Sequence, residues 1–286
     1  MTLTSTGATP HVSRLANAFA GLRASGRPGL VTYVTAGDPD LDYSRQVLVA
    51  LVRAGADVLE VGVPFSEPLA DGPVIQRATE RALAAGSTLA GVLELVASVR
   101  SEIAAPIVLF TYVNPVVRMG VPEFATRAAA AGVDGVLTLD LPVEEAADVR
   151  GRLHEAGLDT IFLLSPTTTT ERIRRAATLG SGFLYGISRL GVTGVRDTMD
   201  DSARELAMRV KPETRLPLAL GFGISRPEHV SEVARWADAA VVGSALVSVV
   251  AEHGASPTLV PAVESYIRWL RGDAAGAQTG SREALR

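Results

Sequence analysis

The chain of 286 residues contains no cysteine, a single lysine and four histidines. Without cysteine there is no disulfide, no thiolate nucleophile and no thiolate zinc site. The lysine, Lys211, lies in RVKPETRLP, ahead of a strand pattern rather than at its end. The histidines, His11, His154, His229 and His253, fall in predicted helices or loops, not at strand ends. Excess positive charge is also lacking: the net charge is −4, so no basic face is offered to nucleic acid or to an anionic membrane. Apolar runs are strand-sized, short of the roughly 18 to 20 residues a membrane span needs. The opening MTLTSTGATPH has neither a basic nor an apolar leader region, so it does not read as a signal peptide. The expectation is a soluble, cytoplasmic protein.

What is present is a recurring unit. RAGADVLEVG (53–62), AAGVDGVLTLD (130–140), EAGLDTIFLLS (155–165) and RWADAAVVGSA (235–245) each pass from an Ala-rich helix end, through a short link with Asp, into a β-branched apolar strand. These strands alternate little, the habit of parallel strands covered on both faces. Eight strands are predicted, at 30–36, 57–63, 107–112, 135–141, 159–165, 182–188, 216–221 and 239–243. Helical patterns separate them, among them 41–54, 73–85, 89–103, 142–156, 169–180 and 199–210. Eight such units predict an α/β fold, a single (β/α)8 TIM barrel with an extra N-terminal helix in HVSRLANAFAGLRASG. An open doubly wound sheet is the runner-up, but no G-x-G-x-x-G follows the first strand. The barrel is expected over 10–271, with disordered ends at 1–9 and 272–286.

Barrel enzymes keep their chemistry at the C-terminal ends of the strands. There, LEVGVPFSEPLADGP places Glu60 inside a strand that otherwise reads as buried, and Asp71 just before a Gly-Pro pair. A buried carboxylate either finds a partner or holds its proton. Glu60 is thus a structural ion pair or an acid of raised pKa, suited to general acid and base work. Asp71 is either a helix N-cap or an ionised helper. GFGIS and VGSA follow the last two strands, where barrels bind phosphate through backbone N–H groups. Gly223, Gly243 and Ser244 are the candidate donors, with Gly194 of GVTG closing over the same anion. Asp38 and Asp140 read as capping or catalytic acids, and Tyr112 and Tyr185 as core residues or substrate-binding hydroxyls. Arg189 stays open between phosphate, an acid and solvent.

The scarcities then remove mechanisms. A Schiff-base aldolase needs a lysine at a strand end, and Lys211 is at the wrong face. A metal-dependent aldolase or isomerase wants clustered histidines. Triosephosphate isomerase chemistry uses a lysine and a histidine. What remains is carbon–carbon or carbon–proton chemistry run by carboxylates.

VTYVTAGDPD, LEVGVPFSEPLADGPVIQRATERAL, TYVNPV, LDLPVEE, SRLGVTGVR and GFGIS…VVGSA resemble, in order and spacing, the tryptophan synthase α subunit family, over about residues 14 to 271. The resemblance implies cleavage of indole-3-glycerol phosphate to indole and glyceraldehyde 3-phosphate, with no cofactor in this chain. It makes Glu60 the general acid/base at indole C3 and the glycerol hydroxyl, and Asp71 the partner of the indole N–H. Tyr185 lines the same pocket, Tyr33, Phe110 and Leu163 flank the indole, and Thr193 bonds Asp71 when its loop closes. Gly194, Gly223, Gly243 and Ser244 become phosphate ligands. The resemblance further implies a pyridoxal-phosphate β subunit as partner in an αββα heterotetramer, contacted by the segments holding Glu67 and Asn114. Glu67 departs from the Asp that many members carry in PFSDP, and Tyr33 and Phe110 stand where Phe and Leu are frequent. Alternatives are a lyase releasing free indole without a partner, a non-catalytic phosphate-binding barrel that regulates one, or another phosphate-handling barrel such as an isomerase or ring-closing synthase. The last generally wants a lysine or cysteine acid that this chain lacks.

Overall fold

The computed structural model describes residues 13–187 and 201–273. Helix α1 (Arg14–Ser25) leads into β1 (Gly29–Thr35), α2 (Leu41–Arg53) and β2 (Val58–Gly62). Two helices, α3 (Pro73–Ala84) and α4 (Leu89–Val99), reach β3 (Ile107–Thr111), and two more, α5 (Val113–Met119) and α6 (Val121–Ala131), reach β4 (Gly135–Thr138). Then follow α7 (Ala147–Glu155), β5 (Asp159–Leu164), α8 (Thr170–Leu179), β6 (Leu184–Ile187) and α9 (Asp201–Val210). The chain ends with β7 (Leu218–Gly221), α10 (Pro227–Val233), β8 (Ala239–Val242), α11 (Ser244–His253) and α12 (Leu259–Leu270). The strands pair in parallel in chain order, and β8 closes on β1, so the sheet is a closed (β/α)8 barrel. No single helix among the described residues is long and apolar enough to cross a membrane.

All eight predicted strands form, within about two residues at most ends. β4 stops earlier than expected because Asp140 leaves the strand direction and turns its carboxylate to the Val113 N–H, 2.7 Å away. The helix expected from 142 begins at Ala147, since the intervening backbone makes a turn in which Glu145 N–H meets the Pro142 carbonyl at 3.0 Å. Asn114 lies in the first turn of α5, just past β3. Pro115 fits there because a proline costs no hydrogen bond in a first helical turn.

The lack of alternation in the strands follows from two apolar shells. Leu30, Leu59, Val61 and Leu109 face outward into the layer packed by the helices, whereas Val31, Val58, Val108, Leu137 and Ile161 fill the barrel interior. α1 seals the lower end: Leu15, Phe19 and Leu22 join the interior cluster, and the Phe19 and Phe183 rings lie 5.4 Å apart.

The Asp of the recurring unit has its work at that same end. The carboxylates of Asp57, Asp134 and Asp238 accept the N–H of Leu30, Ile107 and Leu218 at 2.8, 2.8 and 2.9 Å, near the start of the preceding strand in each case. Arginines gather on these acids: Arg27 and Arg271 on Asp57, Arg14 and Arg100 on Asp134, Arg23 on Asp238. Asp159, the fourth, accepts the Ser13 hydroxyl. Buried strand ends thus find acceptors, and this face serves stability while the opposite one is left for chemistry.

Candidate active site

The period-two alternation that sends Val58 inward also sends Glu60 and Gly62 inward, one layer nearer the mouth each. Glu60 is 0% exposed, and neither carboxylate oxygen has a hydrogen-bond partner. Among the described residues no cation pairs with it, so the ion-pair reading finds no partner there. With nothing to stabilise the charge, burial pushes the Glu60 carboxyl up to about 8.

Two tyrosines flank this acid in matching fashion. Tyr33 on β1 is in register with Glu60, and its hydroxyl lies 2.2 Å from where a Cβ on Gly62 would stand. Tyr185 on β6 lies across Gly221 of β7, its hydroxyl 2.7 Å from the corresponding point. Any side chain at either glycine would collide with the ring, so these two glycines are the floor on which the tyrosines rest. Tyr33 meets Phe110 edge-on at 5.1 Å and shares a hydrogen bond of 3.3 Å with Thr35. Burial raises both hydroxyls above their ordinary range; Asp71 and Glu60 raise Tyr33 further, and Glu60 raises Tyr185. Leu163 and Phe110 are partly buried against the interior cluster that contains Tyr185, and Phe110 also packs against Tyr33.

Asp71 comes from the loop after β2. It is not an N-cap: Gly72 occupies that position of α3, with no side-chain bond. The Tyr112 hydroxyl instead donates to Asp71 Oδ2 at 3.1 Å and accepts the Ala70 N–H at 3.0 Å. Burial pushes Asp71 up to about 6, against the opposing effect of the Tyr112 bond. Gln76 holds the loop from α3, donating to the Asp71 carbonyl at 2.9 Å, and Phe65 stacks beside Tyr112 at 5.1 Å.

Sequence reasoning missed Thr35, Phe65 and Gln76 as supports. Thr35 alone had a readable signal, since Val31, Tyr33 and Thr35 share the inward face of β1. Asp38 and Asp140 are held in structural bonds: Asp38 is clamped by Arg81 at 2.8 and 2.7 Å, and Asp140 accepts the Val113 N–H at the start of α5.

On the far side of the mouth, Gly223 follows β7 with a left-handed φ of 72°, while Gly243 caps α11 and Ser244 begins it. β7 and β8 are neighbours, so both turns open on the same sector. Thr193, Gly194 and Arg189 lie outside the described residues. Glu67 is exposed on the Asp71 loop and Asn114 is exposed on α5. Among the described residues no group of three or more His, Cys, Asp or Glu side chains could hold a metal ion.

The comparisons with known proteins agree with this geometry. The family model described as tryptophan synthase alpha chain matches residues 19–266. The tryptophan synthase alpha chain of Solibacter usitatus is 48% identical over 260 residues, covering 91% of this chain and 97% of its own. The solved tryptophan synthase subunit alpha of Legionella pneumophila superposes with a TM-score of 0.84 at 36% identity, over 92% of this chain and 98% of that one. A chain of the tryptophan synthase α2β2 complex from the hyperthermophile Pyrococcus furiosus superposes with a TM-score of 0.81 at 39% identity, over 85% and 98%. With a buried acid at the barrel mouth, a second acid beside it and relatives matched nearly end to end, the chain belongs to the tryptophan synthase alpha chain family, the carbon–carbon lyases that cleave indole-3-glycerol phosphate.

Proposed function

We propose that in this chain the cleavage runs through Glu60 as general acid and then base, with Asp71 as the ionised helper. Protonation of indole C3 by the Glu60 carboxyl makes the ring an electron sink, and Asp71 bonds the ring N–H as positive charge develops there. The Glu60 carboxylate then takes the glycerol hydroxyl proton. The C–C bond breaks, its electrons return to the ring, and the C3 proton stays on the released indole. General acid–base help of this kind contributes about 10²–10⁴-fold in rate.

Tyr33, Phe110, Leu163 and Tyr185 form the wall around the ring. Tyr112 serves through Asp71, to which its hydroxyl is already committed. Gly223, Gly243 and Ser244 present backbone N–H groups to the phosphate, joined by Gly194, while Thr193 reaches Asp71 when substrate is bound. The reaction requires no cofactor here; pyridoxal phosphate is carried by the β subunit.

We assign that partner, in an αββα assembly, to the face holding Glu67 and Asn114. The Ala70–Tyr112 bond fastens the Asp71 loop to the start of α5. Leu69, 87% exposed, lies on the same loop as Glu67, and Val117, 57% exposed, lies on the same helix as Asn114. Exposed apolar side chains ringed by polar ones mark interaction surfaces.

The observation that carries the catalytic reading is the Glu60 carboxyl, fully buried and unpartnered beside the mouth. Its test is Glu60→Gln, which is expected to abolish indole release while leaving the affinity for glycerol 3-phosphate nearly unchanged. Substantial turnover in that variant rejects the assignment. Assaying the parent chain with and without a β subunit separates a coupled α subunit, slow alone and accelerated by β, from an independent indole-releasing lyase.

A further inference from the structure

We propose that Tyr33 is a positioning residue for Glu60: its ring, seated in the space left by Gly62 and tied through its hydroxyl to Thr35, closes the mouth side of the acid against water. This rests on Glu60 being the acid/base assigned above.

The inward positions of β2 are Val58, Glu60 and Gly62, in order toward the mouth. A side chain at position 62 would ordinarily cover Glu60 from above. This chain has none there, and the covering group comes from the neighbouring strand. The Tyr33 hydroxyl and the ring carbons behind it lie 2.2, 2.6 and 2.8 Å from the ideal Cβ of Gly62, within the volume that a side chain there would claim. The ring then reaches beyond β2 to meet Phe110 of β3, the residue in register with Gly62, edge-on at 5.1 Å. Tyr33 and Phe110 together roof the acid across three strands.

The hydroxyl explains how the roof is kept in place. Thr35 sits two residues further along β1, in register with Gly62, and its Oγ1 is 3.3 Å from the Tyr33 hydroxyl. That bond satisfies the buried hydroxyl within its own strand and leaves the Glu60 oxygens without a partner. A hydroxyl turned to Glu60 would stabilise the carboxylate and weaken it as an acid. The arrangement thus contributes a polar ring without a polar contact to the acid.

The other groups facing Glu60 are consistent with this division. Tyr185 approaches from β6, and Asp71 and Tyr112 lie beyond Tyr33 towards the loop. Val108 and Phe110 of β3 carry no charge. Among the described residues no cation is one of them, so solvent exclusion is what holds the proton on Glu60.

The test is the pH dependence of kcat/KM for indole release by the full chain, in the parent, Tyr33→Phe and Tyr33→Val. A merely structural Tyr33 would lower the thermal midpoint and the plateau rate without moving a limb of the profile. Water admitted above Glu60 lowers its pKa, so the basic limb is expected to fall by about one pH unit in Tyr33→Val. Tyr33→Phe keeps the ring and is expected to move the limb less, in the same direction. If Tyr33→Val does not fold, Tyr33→Leu supplies the same comparison. A basic limb in the folded Val or Leu variant that coincides with the parent's overturns the proposal while leaving the Glu60 assignment standing. A parent profile with no basic limb, or turnover retained in Glu60→Gln, overturns both.

Discussion

Replacing Tyr112 by Phe removes a single oxygen and tests how the two acids divide their labour. That oxygen donates to Asp71 Oδ2 at 3.1 Å and accepts the Ala70 N–H at 3.0 Å. Burial lifts the Asp71 carboxyl to about 6, and the Tyr112 bond restrains the rise by favouring the ionised form. A hydrogen bond to a charged group contributes about 1.5–3 kcal/mol. Asp71 is only half-buried, and solvent screening reduces this to about 1 kcal/mol, somewhat under one pH unit. The sign follows directly: a carboxylate that loses a donor ionises at higher pH. If Asp71 must be charged and Glu60 protonated, the parent's kcat/KM profile is a bell with limbs near 6 and 8. Tyr112→Phe is then expected to move the acid limb upward by somewhat less than one unit and leave the basic limb in place. The assay is initial indole release between pH 5 and 9, with the thermal midpoint checked at each pH. An acid limb that stays put or moves down refutes the reasoning, because Asp71 would then not be the group whose ionisation the rate reports.

Three further outcomes are expected. Burial raises the folded-state pKa of Glu60 from 4.5 to about 8. Its neutral form is therefore accommodated without loss below the unfolded value, and stability drains away as pH rises towards 8. Glu60→Gln should accordingly unfold at higher temperature than the parent at pH 8, by an amount of at most roughly 4 kcal/mol that shrinks towards pH 5; equal midpoints at pH 8 would contradict the burial argument. Arg81→Ala strands the buried Asp38 carboxylate and should cost about 2–3 kcal/mol in urea unfolding, discounted for the partly exposed arginine, with both limbs of the kcat/KM profile unmoved. Leu69→Glu places a charge on the exposed loop beside Glu67 and should weaken activation by a β subunit at least several-fold while leaving the isolated chain's turnover intact; undiminished activation would remove that face as the docking site.

The eight strands were legible because each is buried on both faces, which erases alternation and leaves apolar runs bounded by Gly and Asp. Glu60 stood out for the same reason, as an acid in a segment where every neighbour declared burial. Less legible were features that depend on which strand lies beside which. Asp38 and Asp140 looked as eligible as Asp71, since all three are acids in loops near strand ends. Their fates were separated by Arg81 on α3 and by the Val113 N–H of α5, both distant in sequence. Thr35, Phe65 and Gln76 have their effect through contacts with Tyr33, Tyr112 and the Asp71 backbone, and nothing local marks them.

By itself the sequence determined the class of fold, the strand order and the exclusion of lysine, thiolate and clustered-histidine chemistry, because these follow from residue types and short-range periodicity. It also supplied an acid where no acid should be buried without cause. Only the tertiary structure decided that this acid has no partner among the described residues, because barrel closure brings Tyr33, Tyr185 and Phe110 around Glu60 and, among those residues, no cation. Closure likewise turned two glycines, unremarked in the strand patterns, into the platforms for two tyrosine rings. A proton affinity is set by everything within a few ångströms of the group. Those neighbours come from β1, β3 and β6 and from the loops after β2 and β3, so no reading confined to one segment could have fixed it.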